Sequence, residues 1–186
     1  MVALPVPEAG ADGWFFLPEP KFMGHDVSFP IEGAKNTVLA PAKMGESGVE
    51  FCTVKGWMVA GLNEDAVRNM TRTIAAEWLR HVKPELVRNR KKVVEYAVLQ
   101  SDKLPVSATV LAPEFWKQFT DVFGATMIVV IPNRQTVFVF PGVGVNYSDY
   151  APLIIEAWRS PAAKASLEVF ELSEHGMKAV GKFEEP

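Results

Sequence analysis

Up to Ala60 the apolar positions come in short runs; beyond it they fall into longer, periodic stretches. Residues 14–17, 27–29, 37–40, 49–54 and 57–60 are the short runs, separated by Pro18, Pro20, Gly24, Gly33, Pro41, Gly45, Gly48 and Gly56. That spacing predicts a small antiparallel β region. Between Lys55 and Trp57 there is room only for a tight turn at Gly56, so the last two runs are expected to pair as a hairpin.

A helix is predicted from Asn63 to Val82. Asn63 is a natural cap, Glu64 and Asp65 stand at the positive end of the helix dipole, and Val67, Met70, Ile74, Trp78 and Val82 recur at three or four to form one apolar face. Such a Met and Trp stripe reads as core, with Arg68, Arg72 and Arg80 on other faces. Pro84 ends the helix or starts a short extra turn, and residues 91–100 alternate as a strand with Val94, Tyr96 and Val98 on one side.

The last third is punctuated at every boundary. Pro113 suits a first helical turn, Phe115, Trp116, Phe119, Val122 and Phe123 form the stripe, and Gly124 takes the terminating position. Residues 127–131 and 136–140 are two β runs joined by a short turn over 132–135, apolar at nearly every position and therefore expected to be covered on both faces. Asp149 is placed as the cap of a helix that carries Pro152 in its first turn and Leu153, Ile154, Ala157 and Trp158 up to Pro161. Residues 167–172 and 177–183 close the chain as a hairpin around Ser173, Glu174, His175 and Gly176. The expected class is α+β: antiparallel sheets with packed helices and a carboxyl-terminal helix-hairpin-helix-hairpin block. Residues 1–13 read as a loose lead-in, and 14–186 as a single domain, with 14–104 and 105–186 as candidate lobes.

Composition narrows the function classes. Of 186 residues 48% are hydrophobic, enough for a core without covalent staples, and the 19 Lys and Arg against 22 Asp and Glu give a net charge of −3. Such a balance offers no general attraction to phosphate, which disfavours nucleic acid unless a local patch engages it. Cys52 is the only cysteine and lies in an apolar run, so a disulfide within the chain is excluded and a buried thiol in a reducing compartment is expected. No apolar run approaches the roughly 18 residues of a membrane-spanning helix. The start lacks basic residues ahead of its apolar ones and is broken by Pro5 and Pro7, unlike a signal peptide, so the expected location is cytoplasmic.

The stretch 111–140, with Leu111, Pro113, Phe115 and Trp116 leading into Ile131, Pro132, Asn133 and Thr136, resembles the YtpQ-like family of uncharacterised bacterial proteins. The resemblance covers the carboxyl-terminal half. It implies a helix, two apolar strands around a polar turn, a helix and a final strand pair, and it brings no activity, cofactor or catalytic residue.

Motifs of chemistry are sparse. His25, His81 and His175 stand in no ligand spacing, and neither a nucleophile-elbow pattern nor a Walker loop occurs. The loop from Pro141 to Asp149 joins a strand to a helix with two glycines, but it lacks the third glycine and a lysine, and it reads as a connection. Glu50, Glu95, Glu168 and Glu171 fall in strands without a spacing that pairs them. No catalytic set, cofactor or metal is therefore assigned.

Two weaker candidates remain. Arg80, Lys83, Arg88, Arg90, Lys91 and Lys92 against Glu85 form the one dense basic segment, a patch for an anionic partner or a solvated face. Trp14, Phe15, Phe16 and Trp57 are candidate aromatic anchors for a protein partner, or core residues. The favoured function is a non-catalytic protein-interaction module, with another protein or a second copy of the chain as partner and no membrane. The alternative is an enzyme or small-ligand binder with a pocket between the amino- and carboxyl-terminal parts, lined by convergent polar groups and a strongly pKa-shifted side chain.

Overall fold

The computed structural model describes residues 13–185, so the lead-in expected over 1–13 lies, apart from Gly13, outside the described residues. The class is α+β with antiparallel sheets. Strands β1 (Phe15–Pro20), β2 (Phe29–Pro30), β3 (Thr37–Gly45) and β4 (Gly48–Phe51) form a small sheet in which β3 is the hub. Its whole first part pairs with β1, from Phe15 opposite Ala42 to Pro20 opposite Thr37, while its end turns back into β4. Strands β5 (Glu85–Arg88), β6 (Val94–Gln100), β7 (Met127–Asn133), β8 (Thr136–Pro141), β9 (Glu168–Ser173) and β10 (Gly176–Lys182) build the larger sheet in the order β10-β9-β7-β8-β6-β5.

The helices α1 (Val54–Val59), α2 (Glu64–His81), α3 (Pro113–Phe123) and α4 (Ala151–Arg159) pack around this frame. Alternate residues of the large sheet divide between two cores, as a period of two requires. Ala97, Leu99, Val129, Val139, Phe170 and Leu172 meet α2, α3 and the small sheet through Val67, Phe119 and Phe16. Ile128, Val130, Phe138, Phe140 and Val169 meet Ile154 and Ile155 of α4. β7 and β8 are thus covered on both faces, as their continuous apolar runs predict. A third cluster joins Phe15, Leu17 and Ala42 of the small sheet to Trp78 of α2, with Phe15 and Trp78 edge to face at 4.7 Å.

Local chemistry explains the ends. Asn63 caps α2 by accepting the Ala66 N–H at 2.9 Å, Pro113 opens α3, and Gly124 closes it at φ 90°, a region glycine enters without steric cost. In the β7–β8 turn the buried Asn133 accepts the Gln135 N–H and donates to the Ala157 carbonyl at 2.7 Å, tying the turn to the end of α4.

Several expectations need correction. The hairpin at Gly56 does not form: β4 has already paired with β3, and the Thr53 hydroxyl accepts the Gly56 N–H at 3.0 Å, so 54–59 coil into α1. The segment after Pro84 is not a mere turn but strand β5, and its neighbour β6 begins at Val94 because Asn89 closes a turn on the Lys91 and Val93 N–H groups. Both faces of β6 are packed, Ala97 and Leu99 on one and Tyr96 and Val98 on the other. Val122 is exposed on α3. Asp149 does not cap α4; it lies in a single 3-10 turn, Tyr147–Tyr150, that feeds the helix directly and is capped by Asn146. A division at 104/105 would separate β6 from its hydrogen-bonded neighbour β8.

Candidate ligand-binding cleft

Where the small sheet, α2 and the β9–β10 hairpin meet, they leave a cleft of about 530 Å³. The floor is apolar because it is the open margin of the main core: Phe16 and Leu39 come from the small sheet, Val110 from the turn before α3, and Leu172 and Met177 from the hairpin. Trp116 of α3 forms a side wall, held by its indole N–H donating to the Ala125 carbonyl at 2.8 Å. The volume lies within the range of small-molecule sites, roughly 300–1,000 Å³.

The rim is cationic on its helical side. Arg68 and Arg72, one turn apart on α2, and Lys117 of α3 line it. Arg68 is occupied: its Nη2 and Nε donate to Glu64 Oε1 at 2.6 and 2.9 Å, and its guanidinium lies 5.6 Å from the Phe16 ring centre. Arg72 and Lys117 are exposed and form no ion pair among the described residues. On the opposite rim stand Glu32, Glu174 and the exposed His175, whose Nε2 is 3.7 Å from Glu174.

The groups there able to do acid–base work, Glu32, Glu174 and His175, all stand on that rim, and the buried hydroxyl of the cleft is not free to join them. The Thr71 hydroxyl donates to the Val67 carbonyl at 2.6 Å and accepts the Phe16 N–H at 2.9 Å, so it is committed to the fold. The side chains with raised pKa values lie elsewhere: Cys52, lifted by burial against a smaller opposing pull from Lys43, and Tyr96 and Tyr150, lifted by burial and by nearby carboxylates. Among the described residues no three His, Cys, Asp or Glu side chains are placed to hold a metal ion.

The basic segment is spread over successive elements. Arg80 pairs with Glu77 in the last turn of α2, Lys83 is in the connection, Arg88 is on β5 donating to the Lys92 carbonyl at 2.9 Å, and Arg90, Lys91 and Lys92 make the β5–β6 turn. The aromatic anchors need correcting: Phe15 and Phe16 are each 1% exposed and fill the core, while Trp14 and Trp57 are half-buried, Trp57 against Phe29 at 5.5 Å. His25 is 3.4 Å from Glu19 and His81 is 3.1 Å from Glu77, so the three histidines stand in separate contacts. Gly142 owes its identity to packing, since a Cβ there would meet the Thr126 carbonyl at 2.3 Å.

Arg68, Arg72 and Lys117 were not singled out as a site from sequence. The available signal was the four-residue spacing of two arginines flanking the apolar stripe of α2; that Lys117 stands beside them is a product of packing. No family model matches the chain, and no curated protein or solved structure was found to be similar to it.

Proposed function

We propose that this chain is a non-catalytic binding protein, and that the cleft between its amino- and carboxyl-terminal parts takes a small amphipathic anion. One observation carries the reading: Arg72 and Lys117, both without ion-pair partners among the described residues, border an apolar floor of Phe16, Leu39, Leu172 and Met177. A carboxylate or phosphate head would complete the two cations, and an aliphatic or aromatic body would cover the floor. Binding is favoured over catalysis because the cleft's buried hydroxyl is already bonded within the fold. The test is titration with octanoate, using octanol as the neutral control. Saturable binding of octanoate that octanol does not match supports the reading; equal binding of both, or of neither, refutes it.

A second reading, docking of another protein, is favoured by α1, which holds Val54, Met58 and Val59 more than half exposed on one short helix. Size-exclusion chromatography with light scattering tests it, because a second copy seated on α1 would double the mass. A bacterial, cytoplasmic setting and kinship with the YtpQ-like family over the carboxyl-terminal half belong to the same proposal and add no activity to it.

A further inference from the structure

A second concavity, of about 400 Å³, opens where the turn after β1, the connection before β3 and the ends of β9 and β10 meet. Glu168 forms part of its wall and is 5% exposed. Its Oε1 is well used, accepting the backbone N–H groups of Lys35 at 2.8 Å and Asn36 at 3.2 Å. Its Oε2 is buried and has no hydrogen-bond partner among the described residues. Buried carboxylate oxygens are normally paired, so this atom calls for a donor that the described residues do not bring to it.

The nearby cations have not closed on Oε2. Lys182 pairs with Glu184 at 2.9 Å, and Lys21 and Lys35, both lining the concavity, make no ion pair among the described residues. Trp158 supplies an aromatic wall, fixed by its indole N–H donating to Glu185 at 3.1 Å, and Phe22, 71% exposed, stands at the margin. One carboxylate oxygen without a donor and two lysines without an ion-pair partner among the described residues, beside an aromatic surface, are the complement of a molecule with both charges and an apolar side group.

We infer that this concavity binds a small zwitterion with a primary ammonium, of the class of free α-amino acids. The ammonium donates to Glu168 Oε2, the carboxylate meets Lys21 and Lys35, and the side group lies against Trp158 and Phe22. The site is separate from the cleft at Arg72 and Lys117, and the inference does not rest on that cleft's occupancy.

The experiment is an amide-resolved NMR titration of the full chain with L-phenylalanine and L-leucine, beside 3-phenylpropanoate, which lacks the ammonium, and 2-phenylethylamine, which lacks the carboxylate. The expected result is saturable movement of the Lys35 and Asn36 amides with an amino acid, and binding at least about tenfold weaker for both truncated analogues. Glu168→Gln retains an oxygen for the Lys35 and Asn36 N–H groups but sets an amide NH₂ at the unpaired position, so it should weaken amino-acid binding by a similar factor. Should that variant fail to fold, Lys35→Ala takes its place; it keeps the backbone contacts, and it must weaken L-phenylalanine while leaving 2-phenylethylamine unchanged. No saturable shift up to about 10 mM of either amino acid, an analogue binding as tightly as L-phenylalanine, or undiminished binding in the folded variant overturns the inference.

Discussion

Glu19 and Arg134 close a bidentate salt bridge between the two sheets: Arg134 Nε donates to Oε1 at 2.6 Å and Nη2 to Oε2 at 2.8 Å. Glu19 is fully buried near the end of β1, and Arg134 is in the turn between β7 and β8. Phe51 lies beneath both the guanidinium, 4.8 Å from its ring centre, and the His25 ring, at 4.0 Å. Removing one partner from such a pair leaves a buried charge uncompensated, at a cost of about 3–5 kcal/mol. Glu19→Gln is therefore expected to lose stability on that scale in urea unfolding, while Glu19→Met combined with Arg134→Met loses much less. A loss below about 1 kcal/mol for Glu19→Gln would mean the pair behaves as a surface contact and does not fasten the sheets.

At the cleft, the cations are separable from the fold. Arg72→Ala and Lys117→Ala remove exposed side chains and should leave stability within about 0.5 kcal/mol of the parent. Each should weaken octanoate by roughly tenfold, the effect of losing one charge-assisted hydrogen bond. Calorimetric titration of both variants checks this, and unchanged affinity would detach the rim from binding.

Gly33 holds the small sheet's loop against β10. Its φ is 73°, and a Cβ there would come within 2.5 Å of the Ala179 carbonyl oxygen, beside the Ala179 N–H that donates to the Glu32 carbonyl at 2.8 Å. Gly33→Ala adds left-handed strain of about 1–2 kcal/mol and pushes this contact apart. We expect lower stability in urea together with faster hydrogen exchange at the Ala179 amide. Exchange there as slow as in the parent would show that the loop moves without β10.

High pH should destabilise the fold through Tyr96 and Tyr150, whose rings meet edge to face at 5.3 Å beneath α4. Burial is the main cause of both raised pKa values, with Glu85 and Glu95 adding at Tyr96 and Glu95, Tyr96 and Asp149 adding at Tyr150. The unfolded phenols lose their protons near 10, where the folded ones still hold theirs. The unfolded state then binds fewer protons, so stability is intact below that pH and falls as pH rises through the folded values. Tyr96→Phe should flatten the fall in unfolding free energy above that pH; an unchanged slope would place the alkaline sensitivity elsewhere.

Cys52 should behave as a protected thiol. It is 3% exposed, and burial keeps it protonated. Iodoacetamide at neutral pH is expected to label it far more slowly in the native chain than in urea. Equal rates would contradict its packing.

The amino-acid sequence alone fixed the elements that local chemistry dictates. The stripe and Asn63 cap of α2, the Pro113 and Gly124 bounds of α3, and the continuous apolar strands β7 and β8 depend on residues within a turn or a hairpin of one another. Only tertiary structure decided the rest. Residues 54–59 and 85–88 are too short for a decisive period, so they became helix and strand according to which neighbours had free hydrogen bonds. Glu19 finds Arg134, and Glu168 finds Lys35 and Asn36, across more than a hundred residues. Such pairings, and the two concavities, follow from how the sheets stack, because periodicity and capping act over a few residues whereas burial is settled by the whole chain at once.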